Sequence, residues 1–246
     1  MRILVVGESC KDIYQYGDCL RLCPEAPVPV FKVSGHNTQN PGMALNVWRN
    51  ILKMHPDAEV EILTNENWPS ITKTRCVDNR TNYIIVRIDD EADGYGRCPI
   101  EDIEYEKYDV IVISDYNKGF LSEDDIEEIT KNHSITFLDT KKILGDWCKN
   151  IKFIKINEFE YERTKHKLTP ELIEKMIITL GPKGAKHRDK IFPVPQVEIK
   201  DTSGAGDTFV ASLAANYALN QDISEAIESA NDSATKVVQK KGVSVV

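Results

Sequence analysis

The segment Asp201-Thr202-Ser203-Gly204-Ala205-Gly206-Asp207-Thr208 runs directly into the apolar stretch Phe209-Val210-Ala211-Ser212-Leu213-Ala214. This order predicts a glycine-rich turn opening into a buried helix, with a carboxylate at the helix start. Backbone N–H groups at such a turn carry partial positive charge and can hold a phosphate or a developing oxyanion. A carboxylate beside them would repel a bound anion, so anion binding alone does not account for it. It is accounted for if Asp207 takes a proton from a hydroxyl that attacks a phosphoryl group held by the amides of Gly204, Ala205 and Gly206. The alternative is that Ser203 or Asp207 caps the helix and the glycines only shape the turn. The catalytic reading would be defeated by an Asp207 buried against protein partners, or facing away from any cleft.

The 246 residues, 41% hydrophobic and 28% charged, suit one large α/β domain or a domain with a small appendage. A formal net charge of −8 argues against a nucleic-acid binder. An anionic substrate would need local positive charge against that field. The cysteines (Cys10, Cys19, Cys23, Cys76, Cys98, Cys148) form no CxxC pair, and no secretory leader precedes them. Free thiols in a cytoplasmic protein are expected. No apolar run approaches a membrane span, and the isolated histidines make no zinc pattern.

Met1 to Val6 reads as a buried strand, and residues 26–33 as an edge strand interrupted by Pro27 and Pro29. Met43 to Met54 has helical periodicity, and 60–63 reads as a strand. Residues 72–89 read as a hairpin turning at Asp78-Asn79-Arg80. Strands are expected at 109–113, 135–138, 153–156 and 176–180, and helices at 122–131, 158–164, 170–175, 209–219 and 223–239. Alternation of this kind implies a mostly parallel sheet covered on both faces. The segments near 26–33 and 72–89 break the rhythm and suggest a small separate β lid.

Taken together, the motifs resemble the ribokinase-like (PfkB-type) carbohydrate kinases over nearly the whole chain. Within that family they look most like the kinase domain of bacterial heptose-7-phosphate kinase/ADP-heptose synthases. The resemblance lies in Gly7 to Tyr14, Pro24-Glu25-Ala26-Pro27-Val28-Pro29-Val30, Asn40-Pro41-Gly42-Met43-Ala44-Leu45-Asn46-Val47 and Ile71 to Arg75. It continues in Ser114-Asp115-Tyr116-Asn117-Lys118-Gly119, Asp139-Thr140-Lys141, Asn157-Glu158-Phe159-Glu160 and Thr179 to Ala185. It implies one ribokinase-like α/β domain over 1–246, with a β lid from about 13–36 and 71–90. It also implies transfer of the γ-phosphoryl group of Mg-ATP to a sugar hydroxyl, with heptose 7-phosphate giving the 1,7-bisphosphate. Relatives often carry a second, adenylyltransferase domain. This sequence has no His-x-x-His or His-x-Gly-His segment for one, so kinase chemistry alone is expected.

The resemblance gives Asp207 the role of general base, with Gly204, Ala205 and Gly206 as the anion hole. Asn157 and Glu160 would order magnesium through its waters, which suits an ion that takes few direct carboxylates. Thr179, Gly181, Gly184 and Asn231 would line the nucleotide. Asp12, Gly42 and Asn46 would bind the sugar, with Lys73, Arg75, Lys118 and Lys141 holding its anionic end or the ATP phosphates. Asp201 would organise a monovalent cation such as K+, or is a plain turn aspartate. Asn157 as a helix cap, Asn231 as a core residue and Lys73 or Lys118 as surface lysines are the bland alternatives. A homodimer through the lid is expected, with no nucleic-acid or membrane partner.

Four positions depart from the family. Met43 stands where a second glycine is expected, which would narrow the sugar pocket. The connection 64–70 replaces a full crossover unit, so the sheet should be shortened. Glu8 stands for an aspartate, and the closing segment after Gly242-Val243-Ser244 is minimal. These departures leave two other readings open: a kinase for another alcohol such as a ketose or nucleoside, and a non-catalytic nucleotide- or sugar-binding homologue.

Overall fold

The computed structural model describes residues 1–240, Gly242 and Val246; the expected closing segment at 243–244 lies outside them. Two sheets account for the strands of the described residues. The large one contains β1 (Arg2–Gly7), β4 (Glu59–Leu63), β7 (Val110–Asp115), β8 (Thr136–Thr140), β9 (Phe153–Asn157), β10 (Met176–Thr179), β11 (Ala185–His187) and β12 (Lys190–Phe192). Its order is β12-β11-β10-β9-β8-β7-β1-β4. The strands from β4 to β10 are parallel, and the β10, β11 and β12 pairings are antiparallel. The smaller sheet is the lid, in the order β3-β2-β5-β6, built from β2 (Ser9–Leu22), β3 (Pro29–Met43), β5 (Thr72–Asp78) and β6 (Ile84–Asp90).

The helices are α1 (Ala44–Met54), α2 (Glu123–Asn132), α3 (Glu158–Thr164), α4 (Pro170–Lys175), α5 (Ala205–Asn220) and α6 (Ile223–Val237). Strand alternation sends side chains to the two faces of the large sheet. Ile3, Val5, Val110 and Val112 pack with α1, α5 and α6. Leu4, Val6, Ile111 and Ile113 pack on the other side with Ile126 and Ile129 of α2 and Leu172 of α4. Both faces are therefore buried, which is why these strands are continuously apolar.

Several boundaries differ from the sequence reading. Met43 is not the first helical residue but the last of β3, at φ 60°, ψ −130°. Its apolar side chain matches the helical period while its backbone does not. Helix α5 starts at Ala205, four residues earlier than the apolar run, because its glycine-rich opening already follows the helix. Strands β11 and β12 were unforeseen, being only three residues each, too short to show a period. The lid strands cover 9–43, wider than the expected 13–36 because β2 and β3 run back to the core, and 72–90, against the expected 71–90. β4 is an edge strand, and the chain passes from it through 64–71 straight to the lid, in accord with the expected loss of a crossover.

Gly7 fixes the point where β1 leaves the sheet for the lid. A Cβ there would lie 1.9 Å from the carbonyl oxygen of Ser114 on β7. Backbone cannot yield as a side-chain tip can. Gly7→Ala is therefore expected to lower stability by about 2–3 kcal/mol, the upper range for overpacking, read as a lower urea midpoint.

Candidate active site

The carboxyl ends of the parallel strands meet the start of α5 at a cavity of about 480 Å³, a volume suited to a small-molecule ligand. Its polar wall includes Tyr116, Asp139, Lys141, Lys155, Asn157 and Asp207. Thr179, Gly181 and Gly184 line it from the turn after β10, and Asn231 lines it from α6. Apolar side chains such as Val197, Ile199, Phe209 and Val238 complete the far end.

Gly204 precedes α5 in the left-handed conformation at φ 79°. No side chain caps this helix, so neither Ser203 nor Asp207 serves as its cap. The first amides of a helix have no intrahelical partner. Of the three expected to form the anion hole, Ala205 is a correction: its N–H donates to the Thr202 carbonyl at 3.2 Å. Gly204 and Gly206 both line the cavity. A Cβ on Gly206 would come within 2.9 Å of Lys155 Nζ, so only glycine lets that ammonium sit against the helix start.

Asp207 faces this cavity and is nevertheless only 6% exposed. It is buried against two protein partners, of which Tyr116 also lines the cavity. Asn46 Nδ2 donates to Oδ2 at 2.9 Å, and the Tyr116 hydroxyl donates to Oδ1 at 2.6 Å. Burial raises the Asp207 pKa, the bonds from Tyr116 and Asn46 lower it, and Asp139 raises it again. Burial wins, and the group is pushed up to about 6. The Tyr116 phenol is held protonated by burial and by the Asp207 charge.

Behind Asp207 lies a buried charge network that the sequence reading did not isolate. Lys155 Nζ pairs with Asp139 Oδ2 at 2.8 Å, and Lys141 bonds to Glu160 and stands 3.6 Å from Asp139 Oδ1. At that distance Asp139 Oδ1 has an ion pair but no hydrogen bond. Burial opposes ionisation of Asp139, yet Lys141 and Lys155 hold its pKa below the usual carboxylate range. Burial likewise opposes the charge of Lys141, and Asp139 and Glu160 outweigh it. Lys155 sits two residues before Asn157 inside the expected strand 153–156, where nothing in the local sequence set it apart.

Glu160 also departs from expectation. It does not line the cavity. Its Oε2 accepts from the Asn157 amide at 2.8 Å while Asn157 Oδ1 accepts from the Glu160 amide at 2.8 Å, a reciprocal cap of α3. The Asn-x-x-Glu spacing is thus spent on the helix start, and Lys141 takes the remaining Glu160 oxygen. Asn157 reaches the cavity; the carboxylate beside it there is Asp139. Asp201 turns its two oxygens to the amides of Ser203 and Gly242, at 2.8 and 3.0 Å. Asn231 lines the cavity while its amide nitrogen donates to the Phe192 carbonyl at 2.8 Å.

Of the expected sugar-binding residues, Lys141 lines the cavity, whereas Asp12, Gly42, Asn46, Lys73, Arg75 and Lys118 do not. Asp12 is ion-paired with Arg75, whose guanidinium lies over the Tyr14 ring, so these two groups neutralise each other. Gly42 lies against Asp12, with 2.0 Å between a Cβ placed there and Asp12 Oδ2. Lys118 is tied to Glu91 at 2.7 Å and is exposed. Lys73 is different. It is 6% exposed, with Met43 Sδ 3.0 Å from its Nζ and the Tyr116 ring centre 5.4 Å away. Glu8, buried, accepts from the amides of Tyr116 and Lys118 at 2.8 and 2.9 Å and so fixes the loop that carries Tyr116. Among the described residues, no group of three His, Cys, Asp or Glu side chains could hold a metal by itself.

Residues 112–245 match the pfkB family carbohydrate kinases. The chain belongs to that family. The bifunctional protein HldE of a Nitratiruptor species is 30% identical over 295 aligned positions, covering 98% of this chain and 62% of that protein. The chain thus spans under two thirds of that relative, and an alignment longer than the chain means the relative holds segments this sequence lacks. Ribokinase from Thermotoga maritima superimposes with a TM-score of 0.74 at 18% identity, covering 98% of this chain and 94% of that one. Ribokinase from Arabidopsis thaliana, complexed with ribose and ATP, gives 0.68 at 17% identity, covering 98% and 93%. At these identities the likeness is one of fold.

Asn46 favours the ionised form of Asp207, so its loss moves the titration upward. In Asn46→Leu the Asp207 carboxyl, followed by its ¹³C chemical shift, is expected to titrate above the value of about 6 that the intact site gives.

Proposed function

We propose that the chain transfers the γ-phosphoryl group of ATP to a hydroxyl of a phosphorylated sugar, with the anomeric hydroxyl of heptose 7-phosphate the favoured acceptor. The observation that carries the anionic acceptor is Lys73. Among the described residues no carboxylate pairs with it, and its neighbours are a thioether and an aromatic ring. Asp89 and Glu91 act on it only through longer-range attraction, with no ion pair formed, so an acceptor phosphate in contact would add to the compensation of this buried charge. The Pro24 to Val30 and Ser114 to Gly119 segments favour a heptose among the phosphorylated sugars.

Asp207 acts as the base in this reading. It takes the proton of the acceptor hydroxyl; the oxygen attacks the γ-phosphorus, and ADP leaves with the electron pair of the broken P–O bond. A carboxylate titrating near pH 6 is ionised at neutral pH and still basic enough to share a proton in the transition state. Gly204, Gly206 and Lys155 lie where the transferring phosphoryl would gather charge, and positioning of that charge is the larger part of such catalysis. Magnesium, which the kinase family implies, would be held by Asp139 and Asn157, which both line the cavity, with Lys141, 3.6 Å from Asp139 Oδ1, drawn off toward Glu160. Bound there it would neutralise phosphate charge while keeping most of its waters.

The outer face of the lid supports a homodimer. Ile84, Val86 and Ile88 share one face of β6 and are exposed, as are Leu20 and Leu22 on β2. A second copy of the lid would cover them and pair the open strand edges. Six free cysteines suit a cytoplasmic protein.

With Mg-ATP and a panel of plain and phosphorylated sugars, wild type should favour phosphorylated acceptors, and Lys73→Met should narrow that preference. Asp207→Asn should lose about 10²–10⁴ in rate while still binding ATP. The wild-type kcat/KM should fall below about pH 6, since protonated Asp207 cannot accept a proton. Equal background in wild type and Asp207→Asn, with ATP bound, would instead make the chain a nucleotide-binding homologue. Sedimentation equilibrium should give twice the 27.9 kDa chain mass; a monomer at high concentration would contradict the lid dimer.

A further inference from the structure

The two donors that enclose Asp207 are not equivalent. Asn46 is fully buried on α1, and its amide oxygen accepts from Asn50 Nδ2 at 3.2 Å. It has nowhere to go. Tyr116 is half-buried at the mouth of an exposed loop, where Asn117 has φ 56° and Lys118 and Gly119 are exposed. The Tyr116 amide is fixed on Glu8 at 2.8 Å and its ring packs against the apolar cluster that includes Met43. Taking the hydroxyl off Asp207 therefore means turning the ring against that packing while the main chain stays. Its hydroxyl offers Asp207 Oδ1 what an alcohol substrate would offer, an O–H donor at 2.6 Å on the rim of the cavity. Two ammonium groups lie by the same ring, Lys73 at 5.4 Å and Lys141 at 5.5 Å from its centre. Cation–π attraction holds the ring there, and an anion arriving at those ammonium groups competes with it.

We propose that Tyr116 is an internal substitute for the acceptor. Its hydroxyl occupies the base until an anionic acceptor engages Lys73 and Lys141, frees the ring and places its own hydroxyl on Asp207. This rests on the sugar-phosphate kinase reading and adds to it a reason why ATP is not consumed by water. For hydrolysis, Asp207 would take a proton from water, the water oxygen would attack the γ-phosphorus, and ADP would leave with the electron pair of the broken bond. The phenol keeps water from the one place where that can happen. Selection of the acceptor and protection of ATP then become one event. A neutral sugar of the right shape displaces the ring poorly, because it offers the ammonium groups no counter-charge.

The test is ATP hydrolysis in the absence of any acceptor. Tyr116→Phe keeps the ring and removes one oxygen, leaving room of about one water beside Asp207. Acceptor-free release of inorganic phosphate should rise about tenfold, the scale of one hydrogen bond to a charged group. Adding Asp207→Asn to that variant should return the rate to background. Tyr116→Phe that binds ATP normally and hydrolyses it no faster than wild type overturns the proposal. A second measurement uses the unaltered chain. 1,5-Anhydromannitol 6-phosphate, which carries the anion but no anomeric hydroxyl, should stimulate phosphate release, and plain 1,5-anhydromannitol should not. Equal rates with and without the phosphorylated probe also overturn it. If wild type binds ATP yet transfers no more phosphate to sugar phosphates than Asp207→Asn at background, the kinase reading itself fails. Transfer left intact in Asp207→Asn overturns both Asp207 as base and its blocking by Tyr116. If Asp207→Asn abolishes transfer while Tyr116→Phe changes nothing, only the substitution by Tyr116 fails.

Discussion

The carboxylate of Asp207 is the point where four separately built parts of the molecule meet. Asn46 brings α1, Tyr116 brings the loop after β7, Lys155 brings β9 through the start of α5, and the cavity brings solvent. A group so enclosed would ordinarily surrender its charge, and burial does push its pKa upward. Two donated hydrogen bonds limit the rise. The site is therefore set by the balance between desolvation and two neutral donors, with no cation in direct contact with the acid. A lysine at hydrogen-bond distance would have lowered the pKa further and made a weaker base.

Positive charge is present but kept one step away. Lys155 and Lys141 are joined to Asp139, and Lys141 also to Glu160. In a chain of net charge −8, free cations near a phosphate site would collapse onto surplus carboxylates. Fixing them on chosen acids keeps them in place in the absence of ligand. The cost is that each such pair must be desolvated, which only a packed surround of good geometry allows. Lys73 escapes this arrangement, and the sulfur of Met43 and the Tyr116 ring are its neighbours instead.

Much of this was legible in the sequence because it depends on local spacing. The glycine-rich opening of α5, the apolar central strands and the turn at Gly181 to Gly184 are short-range patterns with short-range causes. The parts that were not legible depend on long-range encounters. Nothing near Glu160 signals that Lys141 will take one of its oxygens, and the reciprocal cap with Asn157 produces the same Asn-x-x-Glu spacing as a magnesium site. Arg75 and Asp12 both looked available, and only the pairing of β2 with β5 shows that they meet each other. Tyr116 could be noticed as part of a motif, but its bond to Asp207 spans 91 positions. Met43 misled because a side chain can satisfy a helical period while its backbone lies outside it.

The strand β3 ends at Met43 and α1 begins at Ala44, with no intervening linker. Two residues into that helix stands Asn46, the donor to Asp207. One unbroken stretch of backbone thus carries the lid strand into the helix turn that donates to the base, so the seat of β3 on the core and the hold on the acid are set by the same residues.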